Sequence, residues 1–370
     1  MFLFGARGTG KSTWLREQFP SAVVYNLLDS RLSLRLARDP RSLSDELRAL
    51  PRGSWVILDE VQKVPAVLDE VHDLIESTGL RFVLCGSSAR KLKRGGANLL
   101  AGRALVKNMY PLVSAELGAD FRPNDALVHG TLPMAVVGAD AQAFLSAYST
   151  TYLDQEVRAE ALTRDVGAFA RFLEVAARQS GQMTSTSNIS REAGVARATV
   201  QTYFDILVDT LIGYWIPAWQ LKRSTRQYTH PKFYLFDTGV ARALSGRLAY
   251  PPTSEETGQL FETLVFNEIR AYLSYHDLRY QPYFWRTYDG TEVDFLCETA
   301  DGFVALELKS VKRWLPRYSR GINRIAEELG AKKVLRYGVY LGERPARSGE
   351  VDILPLGRFL KLLWDKQIIT

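Results

Sequence analysis

Gly5, Gly8, Gly10, Lys11 and Ser12 sit in the run Gly5-Ala6-Arg7-Gly8-Thr9-Gly10-Lys11-Ser12, which fits the pattern GxxxxGK[ST] in full. Glycines let the backbone turn where a Cβ would clash and leave N–H groups pointing inward, as a phosphate cradle requires. Lys11 is then expected to reach the β- and γ-phosphates of a nucleotide, and the Ser12 hydroxyl to ligate magnesium. The segment runs through Thr13 into a helix read over Lys11–Gln18, whose positive end adds to the anion site. A second element agrees. Trp55-Val56-Ile57-Leu58-Asp59-Glu60 reads as a buried strand ending in two carboxylates. Asp59 is placed to hold the magnesium, directly or through water, and Glu60 to orient or deprotonate an attacking water. A plain βα unit with a glycine turn and a solvated acidic strand end competes with this reading, but the two elements at this spacing favour the nucleotide site.

Weaker features surround the pair. Gly86-Ser87-Ser88 follows an apolar run, so Ser87 or Ser88 either contacts a γ-phosphate or caps a helix. Arg103, in Leu100-Ala101-Gly102-Arg103, is either a finger-like charge for a transition state or a surface arginine. The basic run of Arg90, Lys91, Lys93 and Arg94 reads first as solvated surface, with contact to a phosphate backbone as its rival.

Far downstream, Glu292-Val293-Asp294-Phe295 and Leu306-Glu307-Leu308-Lys309 alternate as strands. Period two puts Glu307 and Lys309 on one face. Glu307 lies thirteen positions after Asp294 and opens a Glu-x-Lys triplet, the spacing of PD-(D/E)xK nuclease-like folds. Asp294 and Glu307 are expected to hold magnesium while Lys309 steadies or activates a nucleophilic water, and Glu262 on the preceding helix to add a ligand. Two carboxylates held close among apolar neighbours repel, so a shared divalent cation is the expected compensation. A charged patch that discourages pairing at a sheet edge is the economical alternative.

Between these sites, the run from Asn188 to Tyr203 reads as helix-turn-helix, with Gly194 at the turn and Val195 and Val200 facing inward. Arg197, Thr199 and Gln201 would then point toward duplex DNA, with Lys222, Arg223 and Arg226 in a following wing. A packing module beside an ATPase lid explains the same pattern.

These residues need elements to position them. The first part alternates short apolar strands (Phe2–Phe4, 22–28, 55–58, 82–85) with helices (Lys11–Gln18, 66–76), the signature of a parallel α/β sheet. From about residue 141 helical spacing dominates, and from 260 an α+β pattern returns: a helix over 261–273, then strands near 283–285, 293–296 and 304–308. Boundaries are placed near 140 and 250, giving three domains: 1–140, 141–250 and 251–370. A chain of 370 residues exceeds one ordinary core. A formal charge of +6 is compatible with an anionic partner. Cys85, Cys297 and four scattered histidines offer neither zinc spacing nor a disulfide framework. No signal peptide or membrane span is visible, because Phe2-Leu3-Phe4 is too short and the apolar stretch 206–219 is broken by Asp209. A cytoplasmic location is the expectation.

Taken jointly, the phosphate loop, Leu58-Asp59-Glu60-Val61-Gln62-Lys63, Gly86-Ser87-Ser88, Ala101-Gly102-Arg103 and Gly130-Thr131-Leu132-Pro133 resemble prokaryotic AAA-type ATPases followed by a long C-terminal domain of unknown function, among the archaeal-ATPase-like P-loop proteins. The resemblance continues through Tyr152-Leu153-Asp154-Gln155-Glu156-Val157, Pro231-Lys232-Phe233-Tyr234-Leu235-Phe236-Asp237 and the Asp294, Glu307, Lys309 set. It implies a P-loop parallel sheet with a helical lid, then a winged helix and an α+β restriction-nuclease-like domain. Such proteins usually carry a helix-rich stretch before the first strand, whereas here the loop begins at Gly5; the start is either clipped or misassigned, a departure that bears on the completeness of the adenine pocket and not on the phosphate site. The leading expectation is an ATPase using ATP and Mg2+ to control engagement of double-stranded DNA. The rivals are an ATP-gated magnesium-dependent nuclease and a nucleotide-switched protein-binding module with an inert nuclease fold. A homo-oligomer is left open.

Overall fold

The computed structural model describes residues 1–87, 104–159, 165–220, 230–330 and 332–370. It divides into one unit of residues 1–111 with 206–212, and a second of residues 112–205 with 213–370.

In the first unit, β1 (Phe2–Phe4), β2 (Val23–Asn26), β3 (Trp55–Asp59), β4 (Arg81–Gly86) and β5 (Val106–Asn108) form a parallel sheet in the order β2-β3-β4-β1-β5. Alternation along the strands divides two apolar faces. Phe2, Phe4, Val56, Leu58, Phe82 and Leu84 pack with helices Ser30–Arg38, Arg41–Leu47 and Val67–Thr78. Leu3, Ile57, Val83 and Cys85 pack with Leu15 of helix Lys11–Gln18. The chain leaves β1 for the far edge, returns through β3 and β4, and adds β5 on the other side of β1. Strand order therefore reverses at β1, and the carboxyl ends of parallel strands at such a point are where ligands bind.

Some boundaries differ from expectation for local reasons. The second strand stops at Asn26, whose side chain accepts from the Leu28 N–H at 3.0 Å and turns the chain. Asp29 then caps helix Ser30–Arg38 by accepting from the Arg31 N–H at 2.8 Å. The helix expected over 66–76 runs over Val67–Thr78, ending at Gly79 in the left-handed region.

The second unit contains helices including Val166–Arg178, Thr186–Ala193 and Ser254–Tyr275, a two-stranded antiparallel sheet of β6 (Gly213–Ile216) and β7 (Lys232–Leu235), and a six-stranded mixed sheet. That sheet runs β12-β13-β11-β10-β9-β8, with β8 Pro282–Arg286, β9 Glu292–Thr299, β10 Gly302–Lys309, β11 Val334–Tyr340, β12 Ala346–Ser348 and β13 Val351–Pro355. The strands β8, β9 and β10 form an antiparallel meander; β11 and β13 continue parallel to β10. Helices Ser254–Tyr275 and Leu356–Trp364 share one core with Phe295, Cys297, Val304 and Leu306. Helix Arg320–Leu329 shares another with Leu296, Phe303 and Ala305. Among the described residues no helix is long and apolar enough to cross a membrane.

The run Gly130-Thr131-Leu132-Pro133 has a structural role. Asp237, buried at the N-terminus of helix Thr238–Leu244, accepts from the Thr131 N–H at 2.7 Å and the Val240 N–H at 2.9 Å. Gly130 has φ 73, and a Cβ there would stand 2.1 Å from Asp237 Oδ1. Burial pushes the Asp237 carboxyl up to about 6 against these N–H donors.

Candidate functional site

The phosphate-type loop follows β1 at the strand-order reversal. Gly8 and Gly10 adopt φ 81 and φ 90, which L side chains rarely tolerate, so the loop closes only with glycine there. Gly5 is required for space: a Cβ would lie 2.6 Å from the Met109 carbonyl oxygen. Thr9 folds back to donate to the Ala6 carbonyl at 2.9 Å. Lys11 is buried, and its Nζ donates to the Gly5 and Ala6 carbonyls at 2.7 and 3.0 Å. Arg7, Gly8, Ser12 and Thr13 are exposed at the mouth. No side chain caps helix Lys11–Gln18, which leaves the N–H groups of its first turn for an anion. The donor set and glycine backbone fit a nucleotide's phosphates.

The second motif arrives two strands away, on β3 across β4. Asp59 ends β3 and is buried, and the Ser12 hydroxyl donates to its Oδ2 at 2.8 Å. Its Oδ1 accepts from the Cys85 thiol at 2.9 Å and the Glu60 N–H at 3.0 Å. Cys85 sits opposite Asp59 in the β3–β4 register, and burial, then the Asp59 charge, push its thiol well up, so it stays a donor. Glu60 is a non-glycine residue at φ 58, a strained conformation worth roughly 1–2 kcal/mol that aims its side chain past the strand end. Its Oε2 accepts from Gln62 Nε2 at 2.5 Å, and the same nitrogen donates to Ser87 Oγ at 3.2 Å. Ser87 is thus brought to the site, buried just past β4. Ser12 and Asp59 are the pair that would hold magnesium. Arg103, Ser88 and the basic run at 90–94 lie outside the described residues.

In the second unit Asp294 on β9 and Glu307 on β10 each lie one position beyond the register pair of Phe295 with Leu306. Both strands are interior to the sheet and both carboxylates are buried, which excludes the sheet-edge explanation. Asp294 Oδ2 accepts from the Leu308 N–H at 2.8 Å, while Lys309 Nζ stands 2.5 Å from Glu307 and 3.5 Å from Asp294. Burial, then Asp294, raise the Glu307 carboxyl well above its ordinary value. Burial alone would depress the Lys309 amine, but Asp294 and Glu307 outweigh it and hold the amine up.

Glu262 feels the charges of both Asp294 and Lys309, and its direct contacts are with other residues. Its Oε2 accepts from the Tyr234 hydroxyl at 3.0 Å and lies 3.5 Å from Lys232 Nζ. Lys232, on β7 and 4% exposed, also pairs with Glu292 at 2.6 Å, and Arg286 reaches Glu292 at 3.1 Å. Among the described residues no group of three histidines, cysteines or carboxylates is arranged to hold a metal. In this structure the amines of Lys232 and Lys309 lie against these carboxylates. The pairing of Lys232 with Glu292 gives no spacing signal in the sequence, because a lone lysine in an aromatic strand does not point to a carboxylate on a distant strand.

Helices Thr186–Ala193 and Arg197–Asp209 flank Gly194, which adopts φ 67 as a turn requires. Val200 is buried and Arg197 and Gln201 are exposed, but Thr199 and Val195 are only half-buried. Thr199 therefore points less freely outward, and Val195 less fully inward, than helical spacing suggests. Lys222, Arg223 and Arg226 lie outside the described residues.

With this geometry in place, residues 1–118 match a family model described as an AAA domain. Residues 122–250 and 257–359 match two domains of unknown function, DUF8612 and DUF4143. The uncharacterized proteins Rv2008c of Mycobacterium tuberculosis and Mb2031c of Mycobacterium bovis are each 26% identical over 370 aligned residues, 97% of this chain and 80% of the relative. Similar solved structures include Aeropyrum pernix Orc1 in complex with DNA, at 14% identity and TM-score 0.29 over 66% of this chain and 86% of that one. A point variant of Thermotoga maritima RuvB follows at 14% identity and TM-score 0.30, over 58% and 81%. The Bacillus subtilis clamp loader delta protein shows 12% identity and TM-score 0.24, over 72% and 94%. The likeness to an AAA domain is carried by residues 1–118.

Proposed function

We propose that the chain is an ATPase that couples Mg-ATP binding and hydrolysis, in residues 1–140, to DNA engagement by residues 141–250 and 251–370. The observation that carries this reading is the 2.8 Å bond from Ser12 to Asp59, which joins two motifs 47 positions apart at the strand-order reversal. Lys11 exchanges its loop carbonyls for phosphate oxygens, and the loop N–H groups and helix end supply the rest of the anion site. Bound magnesium neutralises charge on the phosphates. Glu60 accepts a proton from the attacking water as that oxygen bonds to the γ-phosphorus and the bridging P–O bond breaks toward ADP.

DNA engagement is supported by the exposed Arg197 and Gln201 on the second of two helices about Gly194, followed by the β6–β7 sheet, an arrangement suited to a winged helix. The deciding experiment is ATP turnover with and without double-stranded DNA, run beside DNA retention over a salt series. Turnover raised by DNA, and retention falling with salt at a slope of about 0.9 per neutralised phosphate, support the coupling. A flat salt response and DNA-indifferent turnover reduce the middle segment to a packing module.

A second reading has one observation in its favour: Glu307 Oε2 is buried with no hydrogen-bond partner among the described residues, beside the charge of Asp294. A divalent cation drawing Asp294 and Glu307 together would supply Lewis-acid activation for phosphodiester cleavage, provided Lys309 withdraws. Calorimetry with manganese, in the absence of nucleotide, on the wild-type chain and on Asp294→Ala/Glu307→Ala decides it; identical titrations remove the metal and the nuclease together.

A further inference from the structure

Gln62 has no part in the reaction as described, yet the site is built around its amide. The side chain is 8% exposed. Its single nitrogen commits both protons to functional partners, one to Glu60 Oε2 at 2.5 Å and one to Ser87 Oγ at 3.2 Å. Turning the amide over would set oxygen against the Glu60 carboxylate, so the acceptors fix its orientation. In that orientation Oε1 is buried with no hydrogen-bond partner among the described residues, a cost native structures rarely accept without a reason. Space for it is reserved by Gly86, where a Cβ would stand 2.1 Å from Oε1.

We infer that Gln62 is a positioning residue for hydrolysis, tying the Glu60 carboxylate to the side chain that meets the terminal phosphate. The inference rests on the ATPase reading above. Ser87 Oγ accepts from Gln62, which leaves its O–H to donate to a phosphate oxygen. A hydroxyl that donates becomes a better acceptor, so phosphate contact and the Gln62 bond reinforce each other. Gln62 engages Oε2 of Glu60 and leaves Oε1 to the attacking water. Backbone and amide constrain the same side chain from two directions: φ 58 turns Glu60 past the strand, and Gln62 fixes where its carboxylate ends. The attacking water and the phosphorus it attacks are thereby referenced to one amide group.

The test uses the full chain with Gln62→Met, which keeps the volume and removes both N–H donors, beside Ser87→Ala and the double variant. Steady-state ATP turnover is read with Mg-ATP affinity from a fluorescent nucleotide analogue. Gln62→Met is expected to lower kcat roughly tenfold or more while KM and affinity stay within about twofold. The double variant should fall little below the more damaged single variant, because both remove one link. Should Gln62→Met fold poorly, Gly86→Ala displaces the same amide from outside by crowding Oε1, and the same split between kcat and affinity is expected. Wild-type kcat in these variants, a parallel loss of kcat and affinity, or losses that multiply in the double variant overturn the inference and leave the ATPase reading standing. A wild-type chain that binds ATP and never turns it over overturns both.

Discussion

The molecule holds two lysine–carboxylate sites built on opposite principles. In the first unit Lys11 Nζ bonds carbonyl oxygens of its own loop at 2.7 and 3.0 Å, while Asp59 is held by a hydroxyl, a thiol and an N–H. These carbonyl, hydroxyl, thiol and N–H bonds are with neutral partners, which a multiply charged anion and its metal can replace. In the second unit Lys232 and Lys309 pair directly with Glu262, Glu292, Asp294 and Glu307. Opening that network leaves charges uncompensated in a poorly solvated interior. Similar residue types thus make one site that is poised for exchange and another that is closed on itself.

Substitutions at the two lysines test this contrast most severely. Lys11→Ala should abolish Mg-ATP binding yet leave the fold in place, as read by nucleotide fluorescence and thermal unfolding. Glu60→Gln should retain binding and slow turnover by roughly 10²–10⁴-fold, the range for a lost general base. Equal loss of affinity in both variants would defeat the division of labour. Lys232→Ala should instead destabilise the second unit by about 3–5 kcal/mol, because a buried charge pair is broken from one side. Urea unfolding followed by tryptophan fluorescence measures it; a cost like that of Lys11→Ala erases the comparison.

A smaller effect sharpens it. Glu268 is buried and, among the described residues, accepts from neutral donors, the Ser114 N–H and hydroxyl and the Trp364 indole, and burial pushes it up to about 7. A carboxyl raised in the folded state favours folding fully below its unfolded value of 4.5. That contribution is lost as pH rises through about 7, by up to about 1.4 kcal/mol per pH unit within the window. Glu268→Gln should flatten the fall in stability between the two values. A wild-type slope in the variant shows that another group sets it.

Much of the first site was legible because its chemistry is local. The run Gly5 to Ser12 carries its own turn geometry, and Asp59 and Glu60 end a strand apolar enough to declare itself. Glu307 and Lys309 were readable for the same reason, since period two places them on one face. What escaped depended on neighbours brought by topology. Gln62 faces Ser87 only because β4 lies beside β3, and Lys232 meets Glu292 only through strands 60 positions apart in sequence. The brief β5, three residues with one apolar side chain, has no pattern of its own and exists because β1 offers it an edge.

That edge bears on how the protein is made. The partners of β1 are β4 and β5, which begin about 80 and about 100 residues later in the chain. At a synthesis rate of roughly 5–20 residues per second, Phe2, Leu3 and Phe4 wait about 5–20 seconds with both backbone edges unpaired. The phosphate loop lacks its scaffold on a ribosome before then, because the strand that carries it is still without β4 and β5. The nascent chain is therefore most exposed to mispairing while the apolar strands β1 to β3 have emerged and β4 has not. Holding by a chaperone, or early nucleotide supplied to a stalled chain, should matter at lengths beyond β4 and β5 in opposite ways: the first loses its substrate there, and the second gains one.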